Sequence, residues 1–278
     1  MELPEDYIAG SSMQYRDTKH LIEEFKNELM QMHGKCLDIG CGPGQVTKEI
    51  LLPLLPDDAE VIGVDISQEM VNYARKKFAD KRLSYIVLDI ESPNLPKDQI
   101  ECYHNIVSFY CIHWCNDMWF TFKNIYKLLQ PEGKALVMFL AYNIGFEAYI
   151  RLKPRFQPYL EDAHRYVPYF QRVRCKNMRA SLQEILQNVG FKILHVSNRE
   201  KSFEYSKTDL QNSAHAINPF VKRFPNEKMK KDFLEQLINE VMSFQDAHIT
   251  LKNKNNQQDI ILTYNLLVAY VQKPPAVA

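Results

Sequence analysis

Apolar positions change period several times along this chain, and each change marks an element. Leu21, Ile22, Phe25, Leu29 and Met32 recur at three- and four-residue spacing and predict an amphipathic first helix, preceded over 7–14 by an irregular leader. Short apolar runs then predict strands over 35–39, 60–64 and 83–88. Between them, a helix over 43–52 starts just after a Gly-Pro pair. A second helix, capped by Ser67, places Met70, Val71, Ala74 and Phe78 on one face. Strands over 105–110 and 134–140 follow, around a helix over 119–129 that stops before Pro131. Ser181-x-x-Glu184 reads as a capping box for a helix carrying Leu182, Ile185, Leu186 and Val189 and ending at Gly190. Runs over 191–196 and 260–270 predict the last two strands.

Strands alternating with helices make an α/β chain with a largely parallel sheet covered on both faces. Two stretches do not fit that alternation, 142–176 and 207–256, the second with a helical pattern in Met229, Phe233, Leu237, Val241 and Phe244. We expect them to form a helical cap on a single domain spanning 1–278. Residues 139–170 hold Phe139, Tyr142, Phe146, Tyr149, Phe156, Tyr159, Tyr166, Tyr169 and Phe170, more than twice the chain's 12% aromatic content. This surplus suits an inserted cap that needs its own packing surface, and equally an apolar cavity over an active site. The end of the chain, 274–278, reads as a loose tail.

Composition removes several classes. With 278 residues, 46% hydrophobic and 24% charged, the chain is long enough to bury a full core. Lys plus Arg and Asp plus Glu are both 34, so no basic excess points to nucleic acid or an anionic membrane. The runs at Lys228, Lys230, Lys231 and at Arg172, Arg174, Lys176, Arg179 are read as solvated faces. The longest nearly apolar stretch, 135–146, is too short to span a bilayer. An acidic start and six scattered cysteines indicate neither a signal peptide nor a disulfide framework, so a reducing cytosolic or nuclear setting, with cytoplasm the first choice, is expected.

Five of the nine glycines lie between Gly34 and Gly63, and three of these form Asp38-Ile39-Gly40-Cys41-Gly42-Pro43-Gly44 after the first strand. Such a loop lets a ligand approach the backbone at a helix start. A dinucleotide fingerprint would place its third glycine three residues after the second; here Gly44 follows Gly42 by two, and Asp38 precedes the turn. A carboxylate there repels a pyrophosphate and attracts an ammonium. Asp65 and Asp89 end the next two strands, one suited to a ribose diol and the other to an exocyclic amine, with the Ile90 amide available to a ring nitrogen. A nucleoside that carries an ammonium and lacks phosphate answers all three, and S-adenosylmethionine is that molecule.

The loop, Gly63-Val64-Asp65-Ile66-Ser67 and Leu88-Asp89-Ile90-Glu91 resemble the class I S-adenosylmethionine methyltransferases. Ser12-Met13-Gln14 with Arg16-Asp17, the run Ser108 to Trp114, and Ala216-Ile217-Asn218-Pro219-Phe220 resemble, over essentially the whole chain, the insect juvenile hormone acid methyltransferases. The resemblance implies a Rossmann-like fold with a seven-stranded sheet, its last strand antiparallel. It also implies methylation of a sesquiterpenoid carboxylate, farnesoic acid or juvenile hormone acid, with S-adenosylhomocysteine as the second product. Gln14 and Trp114 would hold that carboxylate. Asp38, Gly40, Gly42 and Asp65 would surround the cofactor, together with Ile66, Met70, Asp89, Ile90 and Ser108. The acceptor pocket is expected to include Tyr7, Tyr110, His113, Tyr142 and Phe146. A homodimer is left open.

A carboxylic acid is already ionised at neutral pH, so the chemistry asks for alignment and dryness and needs no base. A methyltransferase acting on a phenol, a quinone precursor or another lipid hydroxyl would need one, with His113 or Tyr110 the candidates. Cys111, His113 and Cys115 lack the turn-like spacing of a tetrahedral zinc site, and no metal is expected.

Overall fold

The computed structural model describes residues 3–244, 248–254 and 257–276. Five positions of the second expected insertion and the last two of the expected tail lie outside the described residues. The strands are β1 Lys35–Ile39, β2 Glu60–Asp65, β3 Leu83–Val87, β4 Tyr103–Phe109, β5 Leu129–Asn143, β6 Lys192–Ser206, β7 Ile249–Lys254 and β8 Gln257–Gln272. The helices are α1 Pro4–Gly10, α2 Ser12–Glu24, α3 Lys26–Leu29, α4 Gln68–Lys77, α5 Met118–Leu128, α6 Gly145–Leu152, α7 Tyr169–Arg172, α8 Met178–Val189, α9 Lys207–Ile217 and α10 Glu227–Ser243.

The sheet runs β3-β2-β1-β4-β5-β8-β6, parallel from β3 to β5, with β8 antiparallel to β5 and β6. Successive side chains of a strand point to opposite faces, and here both faces are covered. Along β5, Leu136, Met138 and Leu140 enter one core, which includes Leu21 and Ile22 of α2 and Ala74 of α4. Val137, Phe139 and Ala141 enter the other, with Phe122 of α5 and Leu182 of α8. The chain steps outward from β1 to β3 and then returns to β4 on the other side of β1. Strand order therefore reverses between β1 and β4, and a crevice opens at their carboxyl ends, where ligands bind in such sheets.

Several elements differ from the expectation. The leader is helical: Pro4 opens α1, with Glu5 and Asp6 in its first turn, and this short helix is held by packing on α9, where Gly10 lies close to Ala216. The first amphipathic helix breaks at Phe25 between α2 and α3. In place of a regular helix over 43–52 there is a widened π turn, Thr47–Leu51, followed by a tight turn through Pro53. The expected capping box lies inside α8. The true N-cap is Asn177, whose side chain accepts from the Ala180 amide at 3.0 Å, while Ser181 takes a contact from Cys175. The second insertion is not wholly outside the sheet, because β7 pairs antiparallel with β8 and adds an eighth strand. The two insertions meet through rings: Phe156 lies 5.2 Å from Phe233 and 6.0 Å from Phe224.

Asn177→Ala is expected to destabilise the protein by about 1 kcal/mol, and Ser181→Ala to stay within ~0.5 kcal/mol of wild type. Urea denaturation of the two variants checks this.

Candidate active site

The acids reach the crevice in different states. Asp38, next to last in β1, is registered between Gly63 of β2 and Val107 of β4 and is 3% exposed. Its carboxylate accepts from Thr47 Oγ1 at 2.5 Å, and Thr47 is the first residue of the widened turn after the loop. Burial pushes its pKa up to about 6; the Thr47 bond opposes this and nearby Asp65 adds to it. Asp65 ends β2 and ties the glycine loop to α4, accepting from the Gly42 amide at 3.1 Å and the Ser67 amide at 2.9 Å. Burial raises its pKa too, against those two donors. Asp89 lies in the turn just beyond β3 and is exposed, accepting from the Glu91 amide at 2.9 Å.

The loop is folded back on β2, with the Gly40 and Cys41 amides donating to the Val64 carbonyl at 2.7 and 3.0 Å. Gly40 has φ +74°, and a Cβ there would lie 2.2 Å from that of Cys111; at Gly42, φ +55°, it would meet only the Tyr7 ring, at 4.0 Å.

Three cavities adjoin. A cavity of about 290 Å³ is lined by Gly40, Gly42, Asp65, Ile66, Asp89 and Ile90, among others. A small one of about 50 Å³ contains Asp38, Gln14 and Thr18. A third, about 70 Å³, is walled by Gln14, His113, Trp114, Asn143, Phe146 and Tyr149, with others. Tyr7 and Tyr110 line all three, so they are the partitions. Ile66 is 67% exposed beside two acids, an apolar plate that suits a flat heteroaromatic ring next to a diol. Arg165 is the one basic side chain among the described residues lining the large cavity, so the residues present fit adenosine better than a polyphosphate.

The third cavity has different chemistry. Gln14 Oε1 and His113 Nδ1 are buried without hydrogen-bond partners. Burial pushes the His113 pKa down to about 3, so its imidazole is neutral, and the ring lies 4.8 Å from that of Trp114. Tyr110 donates its hydroxyl to Asp17 at 2.6 Å, and burial raises its pKa well above the phenol range.

Most of the expected residues therefore meet. Ser108 does not reach a cavity wall; it is fully buried and donates to the Ile39 carbonyl at 2.9 Å, bracing the end of β1. Tyr142 lies against His248, ring centroids 4.6 Å apart, after a bulge at Ala141 interrupts the pairing of β5 with β8; Asn143 lines the cavity instead. Tyr149 and Tyr166, both within the aromatic-rich stretch, reach cavity walls, as does Pro219 of the Ala216–Phe220 segment. Arg165 and Glu91 also line the large cavity; Glu91 closes the Leu88–Glu91 run quoted above without having been assigned a role, and no sequence signal set Arg165 apart. No helix among the described residues is long and apolar enough to cross a membrane, and none of their His, Cys, Asp and Glu form a group of three or more that could hold a metal.

A glycine loop at a strand-order reversal, with acids on successive strands, defines a methyltransferase-type site, and residues 37–137 match the family described as "Methyltransferase domain". The chain belongs to the class I S-adenosylmethionine-dependent methyltransferases and is an enzyme of that class. It is 31% identical over 277 residues to the juvenile hormone acid O-methyltransferase of Drosophila melanogaster, covering 97% of this chain and 91% of that one. To the enzyme of the same name from Bombyx mori it is 31% identical over 274 residues, covering 96% of each. Among solved structures, YcgJ of Bacillus subtilis superposes with TM-score 0.58 at 17% identity, covering 92% of this chain and 99% of that one. The [4+2]-cyclase SpnF does so with TM-score 0.53 at 15%, covering 91% and 82%. These two likenesses show the fold alone.

Gly40→Ala is expected to cost about 2–4 kcal/mol, from the left-handed backbone plus the overlap with Cys111, and Gly42→Ala only ~1–2 kcal/mol from the backbone. Comparing the two chemical-denaturation midpoints tests the difference.

Proposed function

We propose that the chain transfers the methyl group of S-adenosylmethionine to the carboxylate of a small apolar acid, of the sesquiterpenoid class that includes farnesoic acid and juvenile hormone acid. The observation that carries this reading is the neutrality of the third cavity. Its polar groups, the Gln14 amide, the uncharged His113 imidazole and the Trp114 indole, can orient a carboxylate by hydrogen bonding without a fixed cation, which would stabilise the ground state and blunt the nucleophile. The names of the two insect relatives, aligned along nearly the whole chain, support the same class of acceptor.

S-adenosylmethionine supplies an electrophilic methyl on a sulfonium. Asp38 would hold its ammonium, Asp65 and Asp89 its ribose and adenine, and Ile66, Met70 and Ile90 would pack on the rings. Tyr7, Tyr110 and the helical insertions, acting as a cap, would exclude water, which favours a transition state whose opposite charges are being neutralised. A hydroxyl acceptor would require a base. The Tyr110 hydroxyl is spent on Asp17 and the His113 pKa is about 3, so the site offers no strong one there. At about 70 Å³ the acceptor cavity takes a carboxyl head, and a terpenoid tail requires Phe146, Tyr149 and Ile217 to part.

Incubation with labelled cofactor and a panel of farnesoic acid, juvenile hormone acid, a fatty acid and a phenol is expected to yield methyl esters identified by mass. The aryl methyl ether as the sole product would overturn the reading. Gln14→Ala and Trp114→Ala are each expected to lower the rate about ten- to a thousandfold, ~1.4–4 kcal/mol in barrier, with the melting curve preserved.

Asp38 predicts a pH dependence. Below about 6 it is protonated and loses its attraction for an ammonium, so S-adenosylhomocysteine affinity, measured by calorimetry, should rise with pH through that value and then level off. Asp38→Asn should flatten the profile. Because the folded pKa lies above the ordinary aspartate value of 3.8, ionisation costs stability as pH rises between the two. The ligand-free Asp38→Asn protein should therefore melt higher than wild type at neutral pH.

A further inference from the structure

Gln14 and Trp114 share a cavity, yet one lies on α2 and the other in the tight turn Ile112–Trp114 after β4. Their relative placement depends on what joins those two segments. Asp17, one helical turn beyond Gln14, is 3% exposed. Its Oδ2 accepts the Tyr110 hydroxyl at 2.6 Å and the Tyr264 hydroxyl at 2.5 Å. Its Oδ1 accepts from Arg16 Nε at 3.0 Å and Nη2 at 2.8 Å. Arg16 is itself anchored, donating to the Tyr264 hydroxyl at 2.7 Å and the Ser202 carbonyl at 2.9 Å, with its guanidinium 4.6 Å from the Phe203 ring centre. A buried carboxylate with this set of donors is held in one place.

The residue it grips sits in an unusual conformation. Tyr110 is the first residue past β4 and has φ +56°, in the left-handed region that a tyrosine seldom occupies. Its amide donates to the Met138 carbonyl at 2.8 Å, so backbone and hydroxyl are both pinned. Two residues later the turn that carries His113 and Trp114 begins. The tether thus crosses from the helix of Gln14 to the residue that sets the exit of β4, through a ring that lines all three cavities. It also joins two of the motifs picked out in the sequence, Arg16-Asp17 and the run from Ser108 to Trp114.

We propose that Asp17 is a positioning residue: by holding the Tyr110 hydroxyl it sets Gln14 on α2 against Trp114, at the distance the acceptor carboxylate requires. Arg16 and Tyr264 hold Asp17 in turn. The catalytic consequence rests on the carboxylate-acceptor reading; the geometric claim does not.

Tyr110→Phe keeps the ring in the cavity walls and removes only the tether. It is expected to lower kcat at least tenfold, since small misplacements of reacting groups carry large rate costs, while S-adenosylhomocysteine affinity stays within twofold. Tyr103→Phe, which removes a buried hydroxyl bound to Gln99 at the far end of β4, controls for stability loss and should leave kcat unchanged. Asp17→Asn should resemble Tyr110→Phe, and the double variant should be no worse than the poorer single, because both changes break one link. A readout independent of turnover comes from fluorescence. The chain has two tryptophans, and Trp119 is 42% exposed, so Trp119→Phe leaves Trp114 as the sole reporter. In that background Tyr110→Phe should raise acrylamide quenching about twofold. Unchanged kcat and quenching in Tyr110→Phe, an equal kcat loss in Tyr103→Phe, or additive losses in the double variant would overturn the proposal. If quenching rises and the wild-type enzyme esterifies no acid, the geometric claim stands and the acceptor reading fails.

Discussion

Asp38 is buried at 3% exposure, and ionising it there costs free energy that the Thr47 hydroxyl returns only in part. The surrounding architecture follows from keeping that carboxylate dry and available. β1 must lie inside the sheet, between β2 and β4, so that neighbours shield it. The following loop must turn at once, which is why Gly40 sits where a Cβ would collide with Cys111. The widened turn that follows presents Thr47 to the acid. Hydrogen bonds to Asp65 then fix the loop relative to α4. An acid held this way is a standing cost in the free protein, which binding of a cation beside it would offset.

The acceptor side is built on the opposite principle. Charge is kept away from it: the guanidinium of Arg16 is engaged by Asp17 on the same helix as Gln14, and His113 is neutral through burial. The two small cavities lie side by side, one containing Asp38 and the other uncharged, with Tyr7 and Tyr110 in the walls of both; on the proposed reading this would keep binding of a cation apart from orientation of an anion.

Strands and glycine loop were legible because their physics is local. Short apolar runs bounded by turn residues mark buried strands wherever they fall, and the Gly40–Gly44 spacing together with Asp38 weighs against a pyrophosphate loop without reference to the rest of the chain. The acids at strand ends were legible because a carboxylate accepts and never donates, which restricts its ligands. What could not be read depends on distant partners. α1 has little amphipathic pattern of its own and is stabilised by α9, some two hundred residues on in the chain. Ser181-x-x-Glu184 is a sound capping pattern, yet Asn177 supplies an equally good cap one turn earlier. Ser108 and Tyr142 stand in the right segments, and only the Ile39 carbonyl and the bulge at Ala141 reveal that their side chains are used elsewhere. Asp17 carries no sign in the sequence of the tyrosines it joins, because Tyr264 is contributed by the last strand.

The short helix α1 lays Tyr7 over the glycine loop, in the wall of every cavity around it. That ring is seated by the packing of α1 on α9, while the exposed Ile66 and Asp89 leave the large cavity open to solvent. A seven-residue helix thus sets one wall of three cavities at once, and a change that loosens its seat, such as a side chain added at Gly10 against Ala216, would be felt in all of them.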